Sequence, residues 1–210
     1  MTTTATNIEQ KELPAGWKWV KLGDVCIKTS TVDPKLEPDK TFTYIDISSV
    51  DRDTKTIVNP QSVLGQDAPS RAKRLVLNKD VLVSTTRPNL NAVAIVPPNL
   101  DGQVCSTGFC VLRSDKTINP DYLFNFTKSR QFVEPLSGLV SGALYPAVTD
   151  KQVLSQPIPL PPLGEQKRIS SELDDKIAGV KLAEASIQQE LDTIEAIPAA
   201  LLRKAFSGDL

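Results

Sequence analysis

From residue 165 onward, apolar side chains return every three or four positions. Ile169, Leu173, Ile177, Val180, Ala183, Ile187, Leu191, Ile194, Ile197 and Leu201 are spaced 4, 4, 3, 3, 4, 4, 3, 3 and 4 apart. That is the period of one face of an α-helix. Lys, Asp, Glu and Gln occupy the positions between. The pattern predicts a helix from Glu165 to Ile197, roughly 50 Å long at about 1.5 Å per residue. Glu165 sits where negative charge suits the positive end of that helix. Gly179 costs it up to about 1 kcal/mol against alanine. Pro198 is expected to break or kink it, with a short second helix over Ala199–Ala205. A single apolar stripe on so long an arm calls for another helix, and no other stretch of the chain carries a comparable pattern. The expected partner is another molecule. The alternative is a helix folded back on its own domain.

Upstream the period changes. Thr41–Ser48 (TFTYIDIS), Val81–Thr85 (VLVST), Ala92–Val96 and Cys105–Leu112 (CSTGFCVL) are short runs of β-branched, aromatic and apolar residues, and they predict strands. Gly108 suggests a bulge or a close approach within the last of these. Trp17, Trp19 and Val20 anchor an opening strand or short helix, and Thr56–Val58 returns after a turn over 51–56. Pro120–Lys128 and Arg130–Leu136 read as helices. Arg87–Leu90 reads as a loop forced by Pro88, and Ser137–Val148 as a glycine-rich loop. Pro157–Pro162 (PIPLPP) holds four prolines and predicts a stiff, extended connector. The expected organisation is α+β: a flexible start (1–12), a mixed small-sheet domain (13–156), a proline-rich connector (157–164), and a helical arm (165–210).

Composition narrows the chemistry. The chain has 210 residues, three cysteines and no histidine. Without histidine, the commonest general base and metal ligand are missing, and so is every Ser–His or Cys–His arrangement. Cys26, Cys105 and Cys110 form no CxxC pair, which points to buried thiols in a reducing cytoplasm. The polar opening MTTTATNIEQKE lacks a signal-peptide core, and no apolar stretch is long enough for a membrane. No GxGxxG follows a strand, and no GxxxxGK[ST] occurs. Glu165 and Lys167 match half of a metal-nuclease motif by letters, yet they open a helix rather than end a strand. Asp174 and Asp175 fall on the polar face of the arm. No enzyme signature survives.

Recognition chemistry remains. Net charge is −1, but residues 71–134 carry nine basic and five acidic groups, against an acidic start and an acidic arm. Arg71, Lys73 and Arg74 cluster in the first basic stretch. Thr86, Arg87, Asn89 and Asn91 follow the strand at Val81–Thr85. Arginine and asparagine are the residue types that read guanine and adenine edges bidentately. Lys128 and Arg130 flank a helix end and suit phosphates. Tyr145, in the glycine-rich loop, suits packing against a sugar or base.

In order and spacing, LPAGWKWVKLGDV, APSRAKRLVLNKDVLVSTTRPNLNAVAIV, VCSTGFCVLR, VSGALYPAV, PIPLPPLGEQKRI and the closing LLRKAFSGDL resemble one half of the specificity subunit of a type I restriction–modification enzyme. The resemblance implies a target recognition domain followed by a long helix. In the family, two such units stand in tandem, with their helices packed antiparallel. Each domain reads one part of a split DNA sequence. The subunit is not catalytic and binds no cofactor itself. It brings a methyltransferase subunit that uses S-adenosylmethionine on adenine, and through it an ATP- and Mg-dependent restriction subunit. This chain carries one unit. The expectation is therefore a half-length subunit that forms a homodimer through an antiparallel coiled coil, with Ile169, Leu173, Ile177, Val180, Ile187, Leu191 and Ile194 in the seam. Such a dimer reads a palindromic split site on double-stranded DNA. The alternative is an interaction protein that binds the methyltransferase without productive DNA reading.

Overall fold

The structure, a computed structural model, describes residues 12–208. The expected flexible start lies outside the described residues except for Glu12, as do the last two positions. Strands and helices follow in the order β1 (Lys18–Lys21), β2 (Cys26–Ile27), β3 (Thr41–Ile45), β4 (Val50–Asp51), β5 (Thr56–Ile57), β6 (Gln61–Leu64), β7 (Ala72–Leu75) and β8 (Val81–Ser84). Then come β9 (Val93–Ile95), β10 (Val104–Ser106), β11 (Phe109–Ser114), α1 (Pro120–Thr127), α2 (Arg130–Gly138), α3 (Asp150–Leu154), β12 (Pro157–Leu160) and α4 (Leu163–Ser207). The chain divides into two units after Lys167.

Two four-stranded sheets build the first unit. One has the order β6-β3-β10-β7, with β10 parallel to β3 and its other pairings antiparallel. The second, β2-β11-β8-β9, is antiparallel throughout. One apolar core draws on both. Ile45 and Cys105 come from the first sheet, and Leu82, Ala94, Phe109 and Val111 from the second. β8 is buried along its whole length, because α1 packs on the same sheet as the core. Its unbroken apolar run is the mark of a strand covered on both faces.

Cys105–Leu112 is two strands rather than the single one expected. β10 belongs to the first sheet and β11 to the second, and the chain crosses between them at Thr107-Gly108. A Cβ at Gly108 would sit 2.5 Å from Ile47 Cδ1, so a larger residue at the crossover would have to push the Ile47 side chain aside. The crossover occupies only Thr107-Gly108 within a short β-prone stretch, which makes the two strands read as one in the sequence.

The stretch at Pro157–Leu160 is extended, as its prolines dictate, and it is also a strand of the first unit. β12 pairs antiparallel with β1, in a register that sets Pro157 opposite Lys21 and Pro159 opposite Trp19. The two prolines are two residues apart, so both missing N–H groups fall on one edge and the ladder uses the other. Ile158 and Leu160 point inward and are buried. Tyr122 of α1 donates its hydroxyl to Pro159 O at 2.7 Å. Burial pushes that phenol up to about 12. Gln166, in the first turn of α4, is fully buried. Its Oε1 accepts from Asn119 N at 2.7 Å, and its Nε2 donates to Thr117 O at 3.0 Å and Pro161 O at 2.8 Å.

A second fixed point is ionic. Arg113 on β11 forms a two-pronged pair with Asp80, Nε to Oδ1 at 2.9 Å and Nη2 to Oδ2 at 2.7 Å. Asp80 Oδ2 also accepts from Leu77 N at 2.8 Å. Asp80 is buried, Arg113 is partly exposed, and both carboxylate oxygens are matched, so the pair ties the turn before β8 to β11.

The second unit is helical. α4 is continuous for 45 residues and runs through Pro198. The expected break, and with it a separate terminal helix, is absent. Proline removes one backbone hydrogen bond and clashes with the preceding turn. The alanine- and leucine-rich flanks, EAI before it and AALLRKA after it, carry the helix across. From Leu173 to Ile194 the seam residues named above are 39–60% exposed, and Ile169 is half-buried. Leu182, Leu202 and Phe206 are exposed as well.

Candidate nucleic-acid interface

The first unit carries an open groove of about 740 Å³. Arg52, Arg71 and Arg87 line it, with Thr86 and Tyr145, over a floor that includes Ser84, Ala92 and Leu90. No carboxylate is among its lining residues. Four separate segments meet here, and each is held by backbone geometry.

Arg52 rides the turn between β4 and β5. Asp51 shapes that turn, its Oδ1 accepting from Asp53 N and Thr54 N, both at 2.8 Å. Those N–H groups, Thr54's foremost, hold its carboxyl below the usual range. Lys55 closes the turn with a left-handed backbone, φ 58°. Its ammonium donates to Asn91 O at 2.7 Å, and partial burial draws its pKa down. Arg71 precedes β7, and its carbonyl accepts from Thr107 N at 2.8 Å. Arg71 is thereby tied to the crossover between the sheets.

Arg87 is the most constrained. It has φ 51° and ψ 63°, a left-handed backbone immediately before Pro88. Cβ sterics and the following proline both disfavour this, and such a residue stores about 1–3 kcal/mol. Its N–H donates to Pro146 O at 2.8 Å, and Thr86 bridges Ala147. A 3-10 turn over Pro88–Leu90 follows, ended by Asn91 at φ 45°. The Asn91 side-chain amide donates to Lys128 O at 3.3 Å.

The sequence-derived candidates separate accordingly. Arg71, Thr86, Arg87 and Tyr145 share the groove, and Asn89 is exposed on the neighbouring 3-10 turn. Asn91 shapes that turn. Lys73 pairs with Asp33 at 2.7 Å, and that bond holds the Asp33 carboxyl below its ordinary range. Arg74 pairs with Asp150 at 2.7 Å and lines a different cleft, beside Cys26 and Cys110. Lys128 lies 4.6 Å from the Phe124 ring centroid, and Arg130 is exposed at the start of α2. Arg52 and Lys55 were not among the candidates. An arginine between two aspartates in a hairpin turn was their only signal.

The three cysteines are free thiols. Burial pushes the Cys26 and Cys105 thiols up to about 12, and Cys110 also upward, which favours the neutral thiol at all three. Among the described residues, no helix is long and apolar enough to cross a membrane.

The first unit is thus a two-sheet α+β module with an arginine-lined groove, and the second a long exposed helix. Residues 14–193 match the model of the type I restriction modification DNA specificity domain, and the chain belongs to that family. It is 25% identical over 204 residues to the type I restriction enzyme EcoDI specificity subunit of Escherichia coli, covering 97% of this chain and 44% of that protein. Over 108 residues it is 35% identical to the EcoKI specificity subunit of E. coli K12, covering 50% of this chain and 23% of that one. The crystal structure of the HsdS subunit from Thermoanaerobacter tengcongensis matches with a TM-score of 0.80 at 42% identity, over 89% of this chain and 49% of the other. A chain from a structure of complex assembly and conformational transition in the type I R-M system matches with a TM-score of 0.87 at 41% identity, over 92% and 50%. The chain thus spans about half the length of the relatives it matches. The α+β domain and long helix inferred from the sequence are those of this family.

Proposed function

We propose that this chain reads DNA as one recognition unit of a type I restriction–modification complex and is itself non-catalytic. The observation that carries the proposal is the groove, where Arg52, Arg71 and Arg87 converge with Thr86 and Tyr145 and no carboxylate intervenes. Arg87, with Asn89 beside it, is set to read base edges, and Arg52 and Arg71 to hold phosphates. Lys128 and Arg130 extend the phosphate track. The chain needs no cofactor for this. A methyltransferase subunit supplies S-adenosylmethionine chemistry at adenine, and a restriction subunit uses ATP and Mg, all in the cytoplasm.

The arm supplies the symmetry. Its apolar stripe, exposed from Leu173 to Ile194, is matched by an antiparallel copy of itself. A homodimer of this kind presents two identical grooves and reads a palindromic, split target. The test is the map of methylated positions in plasmid DNA from cells expressing this chain with its methyltransferase subunit. A palindromic split adenine motif supports both parts. An asymmetric motif removes the homodimer and leaves DNA reading. A stable complex with no methylation removes DNA reading and leaves an interaction protein.

A further inference from the structure

Next in sequence to the groove residue Tyr145 stands an apolar side chain that phosphate and base-edge contacts leave unused, Leu144, which does not itself line the groove. Leu144 and Tyr145 are 86% and 85% exposed, although both are large and Leu144 has no polar atom to place in water. They stand near the tip of the loop that follows α2, two and three residues past Gly142, whose φ of +80° permits the reversal.

The loop is held at both ends. On one side, α2 is packed through Phe132 and Leu136, with Phe132 set edge-on to Phe126 at 5.8 Å. On the other, Arg87 N donates to Pro146 O at 2.8 Å and Val148 N to Thr85 O at 2.9 Å. Its own turns are hydrogen-bonded, Ala143 N to Val140 O at 3.2 Å among them. Tyr145 lines the groove that the three arginines line.

We infer that Leu144 is an apolar wedge that enters between two stacked base pairs, with Tyr145 behind it against the adjoining sugar. The inference rests on the DNA reading proposed above and extends it to indirect readout. A leucine inserted at a base step unstacks it and kinks the duplex, by roughly 20–90° in proteins that do this. Flexible pyrimidine–purine steps yield most readily, so such a wedge selects sequence without a hydrogen bond to any base. Charge favours DNA over a protein as the occupant. The walls carry three guanidinium groups and no carboxylate, which complements phosphates flanking an apolar stack.

The test uses the full chain assembled with its methyltransferase subunit. The probe is a duplex bearing the target found by methylation mapping. 2-Aminopurine, which brightens when unstacked, replaces one purine at a time in the recognised half, leaving the methylated adenine untouched. The wild-type complex is expected to brighten one step several-fold, Leu144→Ala to lose that signal, and Leu144→Met to keep it. Leu144→Ala should also bind more weakly with an unchanged slope of log affinity against log salt, because no phosphate contact is lost. A wild-type complex that binds its target with no brightened step overturns the wedge and leaves DNA reading intact. A Leu144→Ala complex that keeps the signal overturns it equally. If Leu144→Ala fails to assemble with the methyltransferase subunit, the loop docks protein and the wedge is overturned. A wild-type complex that does not bind the duplex overturns wedge and reading together.

Discussion

The two units treat their apolar residues in opposite ways. In the first, Phe109, Leu82 and Phe132 are enclosed, and the buried polar groups of Asp80 and Gln166 have hydrogen-bond partners. In the second, leucines and isoleucines at helical spacing lie open along α4. The first unit has a core shared by two sheets and a terminal ladder, and among the described residues it leaves only scattered large apolar side chains such as Leu36 and Leu144 exposed. The second has the surface of half a structure. The first unit draws its stability from its own core, whereas the apolar stripe of α4 lies exposed.

Leu191→Asp separates the units most sharply. It sets a charge in the apolar seam, and self-association measured by sedimentation should be lost at micromolar concentration while the first unit melts as before. An unchanged solution mass would remove the seam. Phe109→Ala does the reverse. It empties the core between the sheets and should cost about 3–5 kcal/mol in denaturant unfolding. Pro198→Ala sharpens the contrast from the helical side. It restores a backbone donor in α4, and should stabilise the helix by up to about 3 kcal/mol, seen as a higher melting point for the arm's circular dichroism signal alone. The smallest effect belongs to Arg52→Ala. If Arg52 holds a phosphate, the slope of log affinity against log salt falls by about 1 and both units keep their stability. A slope that does not move would take Arg52 out of the interface.

The same contrast explains what was legible in the sequence. The arm was clear from residues alone, since helical periodicity is local and Ile169 to Leu201 repeat it ten times. Its continuity through Pro198 was not, because local propensity overstated the proline. In the first unit, the apolar runs marked β3, β8 and β9, but not which strand joins which sheet. Cys105–Leu112 reads as one run and serves two sheets. For the groove, residue type singled out Arg71 and Arg87 together with Lys73 and Arg74. What separates them is position in the fold. On β7, Lys73 and Arg74 meet Asp33 and Asp150, which lie far away in sequence. Arg52 reaches the groove through the fold, on a β4–β5 turn whose Lys55 donates to Asn91 O, and no local pattern marks that position as part of the groove.

The pairing of β1 with β12 has a consequence for how the chain is made. Its two strands lie about 140 residues apart. Synthesised at about 5–20 residues per second, the first strand waits roughly 7–28 seconds for its mate. Throughout that interval Trp19 and Val20 belong to an unsatisfied edge on a nascent chain. Closure of so long a loop comes late and slowly in refolding too. The proline-bearing mate is a poor template for any other strand, since one of its edges offers no N–H at Pro157 or Pro159. The last strand to arrive is thus the one least able to start an aggregate while the first stands open.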